Sequence, residues 1–290
     1  MHRRYGRTYY LATRLLPAWK RPHVHALYGF ARYADEIVDD VAALPPGQRA
    51  EALREWSQRF MSGLRGEPVN DPVLPAVLHT IETFNLDRSD FAAFLRSMAM
   101  DLEVTEYRDY DALLDYMEGS AAAIGTMMLP LLEPADPILA REPARQLGLA
   151  FQLTNFIRDV GEDLARGRVY LPQADCERFG VTRQRLRACA ARGRADAAVR
   201  ALVRFEIERA RAHYRAAAGG VPILAATSQP CIRVAYRLYS AILDEIVAAD
   251  YDVLVRRATV PRWQRLKVVA QCLLTRPGTP VTGHPAWERS

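Results

Sequence analysis

Two carboxylate-rich helical stretches, each embedded in apolar sequence, constrain this chain more than anything else in it. The first runs Tyr28-Gly-Phe-Ala-Arg32-Tyr-Ala-Asp35-Glu-Ile-Val-Asp39-Asp40, the second Gln152-Leu-Thr-Asn155-Phe-Ile-Arg158-Asp159-Val-Gly-Glu162-Asp163. At about 100° per residue, Tyr28, Arg32, Asp35 and Asp39 fall within an arc of roughly 60°. Gln152, Asn155, Asp159, Glu162 and Asp163 gather on a stripe of their own. Like charges one turn apart repel, so such stripes are costly unless a cation sits on them. A single acidic run on a helix is most often a solvated face. Here Ala26, Leu27, Phe30, Ala31, Ala34, Ile37 and Val38 surround the first stripe, and Leu153, Phe156, Ile157 and Val160 the second. Helices apolar nearly all round are buried, and buried carboxylates need a partner or a metal. Hard divalent ions, oxygen-ligated and bridging to a phosphorylated substrate, meet that need.

The remaining sequence reads as helix after helix. Three-to-four-residue apolar spacing predicts helices over 51–64, 75–84, 90–103, 110–132, 142–164, 181–191, 196–217, 229–248 and 262–274. Asp71-Pro72, Asp87-Arg88-Ser89 and Gly219-Gly220 supply breaks and caps, and no stretch alternates convincingly as a strand. The expectation is an all-α bundle with a central cavity. Half of the 290 residues are hydrophobic and no linker divides them, which allows one sizeable core over 1–276. The proline- and glycine-bearing stretch 277–290 is expected to be a disordered tail.

Cys176, Cys189, Cys231 and Cys272 lack CxxC spacing and clustered histidines, and read as reduced thiols of a cytoplasmic protein. The basic start (Arg3, Arg4, Arg7) has no apolar run behind it, so it is not a signal peptide. The longest weakly polar stretch, Ala121 to Leu132, is far short of the ~20 residues of a membrane span. A net charge of +5 invites a nucleic-acid reading. The cations are scattered among acids, without a basic block or interleaved aromatics, which argues against nucleic-acid partners. Attraction to anionic headgroups, on the inner face of a membrane, suits that charge better.

The two acidic stretches, together with Tyr116-Met-Glu-Gly-Ser-Ala-Ala-Ala-Ile-Gly-Thr-Met-Met128, Gln152 to Pro172 and Tyr251-Asp-Val-Leu-Val-Arg-Arg-Ala258, resemble the squalene/phytoene synthase family, head-to-head prenyltransferases. The bacterial phytoene synthases are the nearest match, and the likeness runs from Tyr5 to about Arg265. It implies the isoprenoid synthase fold, Mg²⁺ or Mn²⁺ as the metal, and Asp35, Asp39, Asn155, Asp159 and Asp163 as its ligands. Arg7, Thr8, Arg32 and Arg256 match diphosphate-binding positions of the family. Arg158 and Arg168, on or just after the second signature, join them as candidate donors, as do Gln152 and Tyr170. An arginine fork suits phosphate geometry, although a lone Arg such as Arg168 is more often a surface ion-pair partner. Tyr5 stands where the family commonly has histidine.

Ionised substrate must be shielded from water, and aromatic faces stabilise a carbocation by about 0.5–2 kcal/mol each. Tyr28 and Tyr239 are the candidates that family position supports; Phe30 and Tyr170 could equally be ordinary core aromatics. Gly119, Ala121, Ala122, Ala123 and Gly125 either leave room for a hydrocarbon chain or make a close-packing face. The resemblance implies condensation of two geranylgeranyl diphosphates, through a cyclopropylcarbinyl diphosphate, to phytoene. No GxGxxG and no extra C-terminal segment of the reductive squalene synthases are present, so NADPH is not expected. Three alternatives stay open: a farnesyl-diphosphate-using synthase with a thirty-carbon product, a terpene synthase on the same scaffold, and a non-catalytic assembly factor. The last predicts eroded acidic motifs, and both are intact here.

Overall fold

Helix boundaries are written into the sequence by short polar side chains. A computed structural model describes residues 7–39 and 45–281, with the side chains of Arg7, Thr8, Tyr9 and Pro46 outside the description. The first helices are α1 (Arg7–Thr13), α2 (Arg21–Asp39), α3 (Pro46–Leu64), α4 (Leu74–Phe84), α5 (Arg88–Met100), α6 (Tyr110–Met117) and α7 (Ala123–Met128). They are followed by α8 (Pro137–Arg158), α9 (Val160–Ala165), α10 (Gln173–Arg178), α11 (Arg183–Ala191), α12 (Ala197–Ala217), α13 (Gln229–Ala248) and α14 (Arg262–Leu274). Asp87, Asp109, Asp136 and Asp196 each accept from backbone N–H groups of the first turn they precede, a cap worth about 0.5–2 kcal/mol. Asn85 closes α4 in the left-handed conformation at φ 48°, as short polar residues tolerate.

The all-α expectation holds: among the described residues β pairing is limited to an isolated bridge between Glu106 and Val169. No helix there is long and apolar enough to cross a membrane. The four cysteines are free and buried.

Three predicted segments differ in detail. The helix expected over 110–132 is interrupted by a π-helical turn at Glu118–Ala122 and ends in a 3₁₀ turn at Pro130–Leu132. Just before the interruption the Ser97 hydroxyl donates to the Tyr116 carbonyl at 2.8 Å, so a group freed from the helical ladder still finds a partner. The helix expected over 142–164 starts earlier, where Asp136 caps it, and breaks at Asp159 (φ −101°, ψ 10°). Hydrogen bonds of 2.9 Å from Asp159 N to Asn155 O and from Asp163 N to Asp159 O bridge the break. Finally, the tail expected from 277 is partly structured. Gly278 N donates to Gln229 Oε1 at 2.9 Å, the Arg233 guanidinium donates to the Thr279 carbonyl, and Val281 is buried. Arg233 lies buried on α13 and needs acceptors; these residues supply them. Residues 282–290 lie outside the described residues.

Two packing features position the site. Phe30 sits among Trp56, Phe60, Phe91 and Phe94 at ring separations of 4.9–5.6 Å. It is a core residue clamping α2 to α3 and α5, not a cavity aromatic, and it fixes which way the opposite, acidic face of α2 looks. On the other side, α8 runs through the middle of the bundle against α7, α12 and α13. A Cβ on Gly148 would lie 2.3 Å from the Ala121 carbonyl oxygen, and one on Gly125 2.2 Å from that of Ala144. Only glycine lets the two backbones approach this closely. The small-residue stretch is therefore mainly a packing face, with Gly125 also open to a cavity.

Candidate active site

Both acidic stripes line one polar cavity, of about 300 Å³, between α2 and the α8–α9 junction. Asp35 and Asp39 come from one wall and Asn155, Asp159 and Asp163 from the other, with Gln152, Arg32, Arg158, Arg168 and Tyr170 around them. The continuous helix α2 delivers its carboxylates one turn apart. The second wall depends on the hydrogen bonds that carry the ladder across the break at Asp159.

Asp35, Asp39 and Asp159 are each answered by a guanidinium, but unequally. Arg32 donates to Asp35 at 2.5 Å and to Glu36 at 3.1 Å. Arg158 holds Asp159 through Nε at 2.7 Å and Nη2 at 2.5 Å. Arg168 bridges the walls: it lies 3.5 Å from Asp39 and 3.7 Å from Asp101, and donates to the Asp101 carbonyl and to Tyr170 Oη. The surface-pair reading of Arg168 fails on this geometry. Burial pushes the Asp35 carboxyl up to about 6, with Asp39 adding to it against the pull of Arg32. Burial and the neighbouring Asp159 push Asp163 up to about 7. Asp159 goes the other way: burial would raise it, yet Arg158 and Arg257 together hold it below the usual carboxylate range.

Carboxyls whose pKa is raised by burial, and further by a neighbouring carboxylate, mark a place short of cations. The donors present, carboxylate oxygens and the Asn155 amide, are hard ligands of the kind Mg²⁺ and Mn²⁺ prefer. Among the described residues no three His, Cys, Asp or Glu side chains close on one point as a finished cage. That suits Mg²⁺, which is usually held by one or two carboxylates together with water and substrate phosphates.

The aromatic candidates separate. Tyr170 stacks on Phe156 at 4.1 Å and donates to Asp101 at 3.2 Å, so it both lines the cavity and orients a carboxylate. Tyr239, on α13, stacks on Phe151 of α8 at 4.4 Å. Burial raises the hydroxyl pKa of both Tyr28 and Tyr239, and the two rings lie within electrostatic reach of each other. Phe151 also lines a second, almost wholly apolar cavity, together with Leu147, Gly148, Ile232 and Ala235. One helix, α8, thus passes from greasy cavity to charged cavity within a turn, with the Phe151–Tyr239 pair at the junction.

Arg256 does not join this arrangement. It is exposed, and its neighbour Arg257 grips Asp159 instead, at 2.7 and 2.9 Å, and approaches Glu162 at 3.7 Å. Glu36 and Glu162 thus stand beside the site as arginine partners. Sequence reasoning also missed Asp101, which accepts from Tyr116 Oη at 2.6 Å and is pushed up by burial. The backbone of Arg7 and Thr8 opens α1, whose Ala12 and Thr13 line the apolar cavity. The side chains of Arg7 and Thr8, like Tyr5 and Asp40, lie outside the described residues.

Comparison with known proteins shows what the chain as a whole is similar to. Residues 2–264 match the family described as squalene/phytoene synthase. A phytoene synthase of Arthrospira platensis is 36% identical over 274 residues, spanning 90% of this chain and 86% of the relative. A 15-cis-phytoene synthase of Synechocystis is 36% identical over 273 residues, spanning 90% and 79%. Among solved structures, a dehydrosqualene synthase superposes with a TM-score of 0.85 at 26% identity, covering 94% of this chain and 92% of its own. A squalene synthase of Alicyclobacillus acidocaldarius gives a TM-score of 0.76 at 26% identity, covering 86% and 91%.

Proposed function

Since the chain belongs to the squalene/phytoene synthase family, we propose that it is a cytoplasmic prenyltransferase joining two geranylgeranyl diphosphates head to head to give 15-cis-phytoene and two diphosphates. The observation that carries this reading is the pairing of cavities. A charged chamber walled by two carboxylate stripes adjoins an apolar one, and α8 lines both. A molecule with a diphosphate head and a long hydrocarbon tail matches that division.

Asp35, Asp39, Asn155, Asp159 and Asp163 would hold Mg²⁺ or Mn²⁺. Bound there, the metal would act as a Lewis acid on the diphosphate oxygens and stabilise the charge left as the C–O bond breaks. The chain's own groups do the rest. Arg32, Arg158 and Arg168 are within reach of a phosphate in the same chamber and offer fork-shaped donors. Gln152 stands one turn before Asn155 and accepts from its amide at 3.4 Å, which orients that side chain. The Phe156–Tyr170 stack lines the charged chamber and would present a ring face toward developing positive charge, with Tyr28 and Tyr239 as further aromatic groups beside it, and the apolar chamber would exclude the water that quenches it. Loss of one proton at each half-reaction balances departure of the two diphosphates, first giving the cyclopropylcarbinyl diphosphate and then the hydrocarbon. No hydride enters, so NADPH has no part in the scheme.

The test is product analysis by mass spectrometry after incubation with farnesyl or geranylgeranyl diphosphate, with and without Mg²⁺, EDTA and NADPH. A forty-carbon hydrocarbon formed with metal alone, and abolished by EDTA or Asp35→Asn, supports the reading. A thirty-carbon product would reassign the substrate, a cyclised monomer would make the chain a terpene synthase, and full activity after metal stripping would overturn the mechanism.

A further inference from the structure

Away from both chambers, the turn between α11 and α12, the first turns of α12 and the end of α13 enclose an open cleft of about 920 Å³. Four arginines line it, Arg192, Arg194, Arg200 and Arg204, against two aspartates, Asp196 and Asp250. Both aspartates are already engaged. Asp196 caps α12 by accepting from the N–H groups of Ala198 and Val199, and accepts from Arg185 at 2.7 Å; Val199 and Arg185 hold its carboxyl down at about 2. Asp250 pairs with Arg200, whose buried Nε still lacks an acceptor. Among the described residues Arg192, Arg194 and Arg204 form no ion pair with a carboxylate. Arg192 donates to the Cys189 sulfur at 3.2 Å, and Arg204 lies over the Tyr251 ring at 4.8 Å. A recess lined by surplus charge of one sign concentrates ions of the other.

The backbone singles out the same place. Asp250 and Tyr251 follow α13 at φ 54° and 59°, a left-handed pair without glycine, which residues bearing a Cβ rarely adopt. Such strain gathers at ligand clamps and persists only where the surroundings over-determine it. Here Arg200 and Arg204 hold the two side chains from α12, and Asp252 accepts from Ala195 N at 3.1 Å.

We propose that this cleft is a second phosphate-binding site, separate from the charged chamber, and that it takes the diphosphate group of a soluble ligand, whether free inorganic diphosphate or a nucleotide. The donor chemistry selects the class. Guanidinium forks match phosphate oxygens two at a time, and several of them around one recess favour an anion with more than one phosphate. None of the cleft residues lines the chamber of Asp35 and Asp159. The two places share one short segment all the same, since the chain beyond Tyr251 carries Arg257, which grips Asp159.

Calorimetric titration of the full chain with inorganic diphosphate and with ADP, without divalent metal or prenyl substrate, tests the site apart from any catalytic assignment. Hydrogen exchange read by mass spectrometry locates the ligand, because the charged chamber holds arginines of its own. Both ligands should slow exchange over 192–204 and 250–252, and should bind about tenfold more tightly than inorganic phosphate. Arg194 and Arg204 are exposed, so Arg194→Gln/Arg204→Gln should leave the fold intact. It should weaken binding at the cleft by about tenfold or more and remove the protection over 192–204, leaving any over 152–168 unchanged. Tighter binding of ADP assigns the site to a nucleotide, and the reverse order to the free anion. Protection confined to 152–168, equal protection over 192–204 in the double variant and the wild type, or phosphate bound as tightly as diphosphate would overturn the proposal. So would a DNA duplex that binds more tightly than either ligand and protects the same peptides, which would make the cleft part of a nucleic-acid surface.

Discussion

Gly148→Ala offers the sharpest test of how the bundle positions its chemistry. The added Cβ would stand 2.3 Å from the Ala121 carbonyl oxygen, where ordinary contact begins at 3.4 Å. The obstacle is backbone on a neighbouring element, so no side chain can swing aside and α8 must move by about 1 Å. Overpacking of this kind costs about 1–3 kcal/mol, while replacing a helical glycine by alanine recovers up to about 1 kcal/mol. The net loss of about 1–2 kcal/mol should lower the melting temperature by about 2–8 °C in a chain of this size. Activity should fall further than stability suggests. Phe151, Gln152 and Asn155 follow within two turns on the same helix, and a misplacement of about 1 Å can cost on the order of 100-fold in rate. Thermal denaturation beside extraction of labelled hydrocarbon measures both quantities. Gly219→Ala, with no atom within 4 Å of its new Cβ, is the control and should be neutral in both. A Gly148→Ala protein that melts normally and turns over at the wild-type rate would refute the close-packing account; normal turnover with lowered stability would refute the rigid coupling between packing and site.

Arg257→Ala should release one of the two guanidinium clamps on Asp159 and lower kcat/KM about tenfold, about 1.4 kcal/mol, whereas Arg256→Ala should leave kcat/KM unchanged in lipid-free assays; steady-state kinetics with titrated Mg²⁺ separates them. Tyr239→Ala should be far worse than Tyr239→Phe if the ring face stabilises a cation, and by product analysis should accumulate the cyclopropyl intermediate; equal impairment of the two would point to the hydroxyl. Glu206, buried on α12 beside Arg209 and Asp175, has its carboxyl raised by burial from 4.5 to about 7. The folded chain therefore keeps this proton where the unfolded chain loses it, so the stabilisation is complete below about pH 4.5 and is lost as pH rises to about 7, about 3 kcal/mol in all. Melting curves across that range should show a slope that Glu206→Gln flattens.

The first acidic stripe was legible because α2 is a continuous helix over all of it, so angular arithmetic from Tyr28 to Asp39 transfers directly to space. The second was legible only in part. Asp159 lies at a helix break, and its neighbours keep their face because hydrogen bonds span it. The grip of Arg257 on Asp159 was not legible, because Arg257 lies between α13 and α14, where no helical period says which of two adjacent residues points inward. Asp101, one residue past the end of α5, carried no signal beyond a lone carboxylate after an apolar run. The apolar cavity had little more than the small-residue stretch, of which Gly125 reaches its wall. Its wall takes residues from α1, α7, α8, α12 and α13, and no local spacing encodes a surface assembled from elements so far apart in sequence. Phe30, left open between core and cavity, was decided by rings on α3 and α5 that only tertiary structure brings to it.

The division between charged and apolar chambers has a kinetic consequence. Substrate is retained by both its ends, whereas the hydrocarbon product has shed the only groups that the arginines and metal can hold. What remains is apolar burial at about 0.8 kcal/mol per methylene, which favours the cavity over water for a long chain but scarcely over another hydrocarbon phase. Departure into water should then be the slow step of each cycle. Turnover in plain buffer would show a burst of one equivalent followed by a crawl, and a detergent micelle or lipid droplet would raise the steady rate without touching the burst.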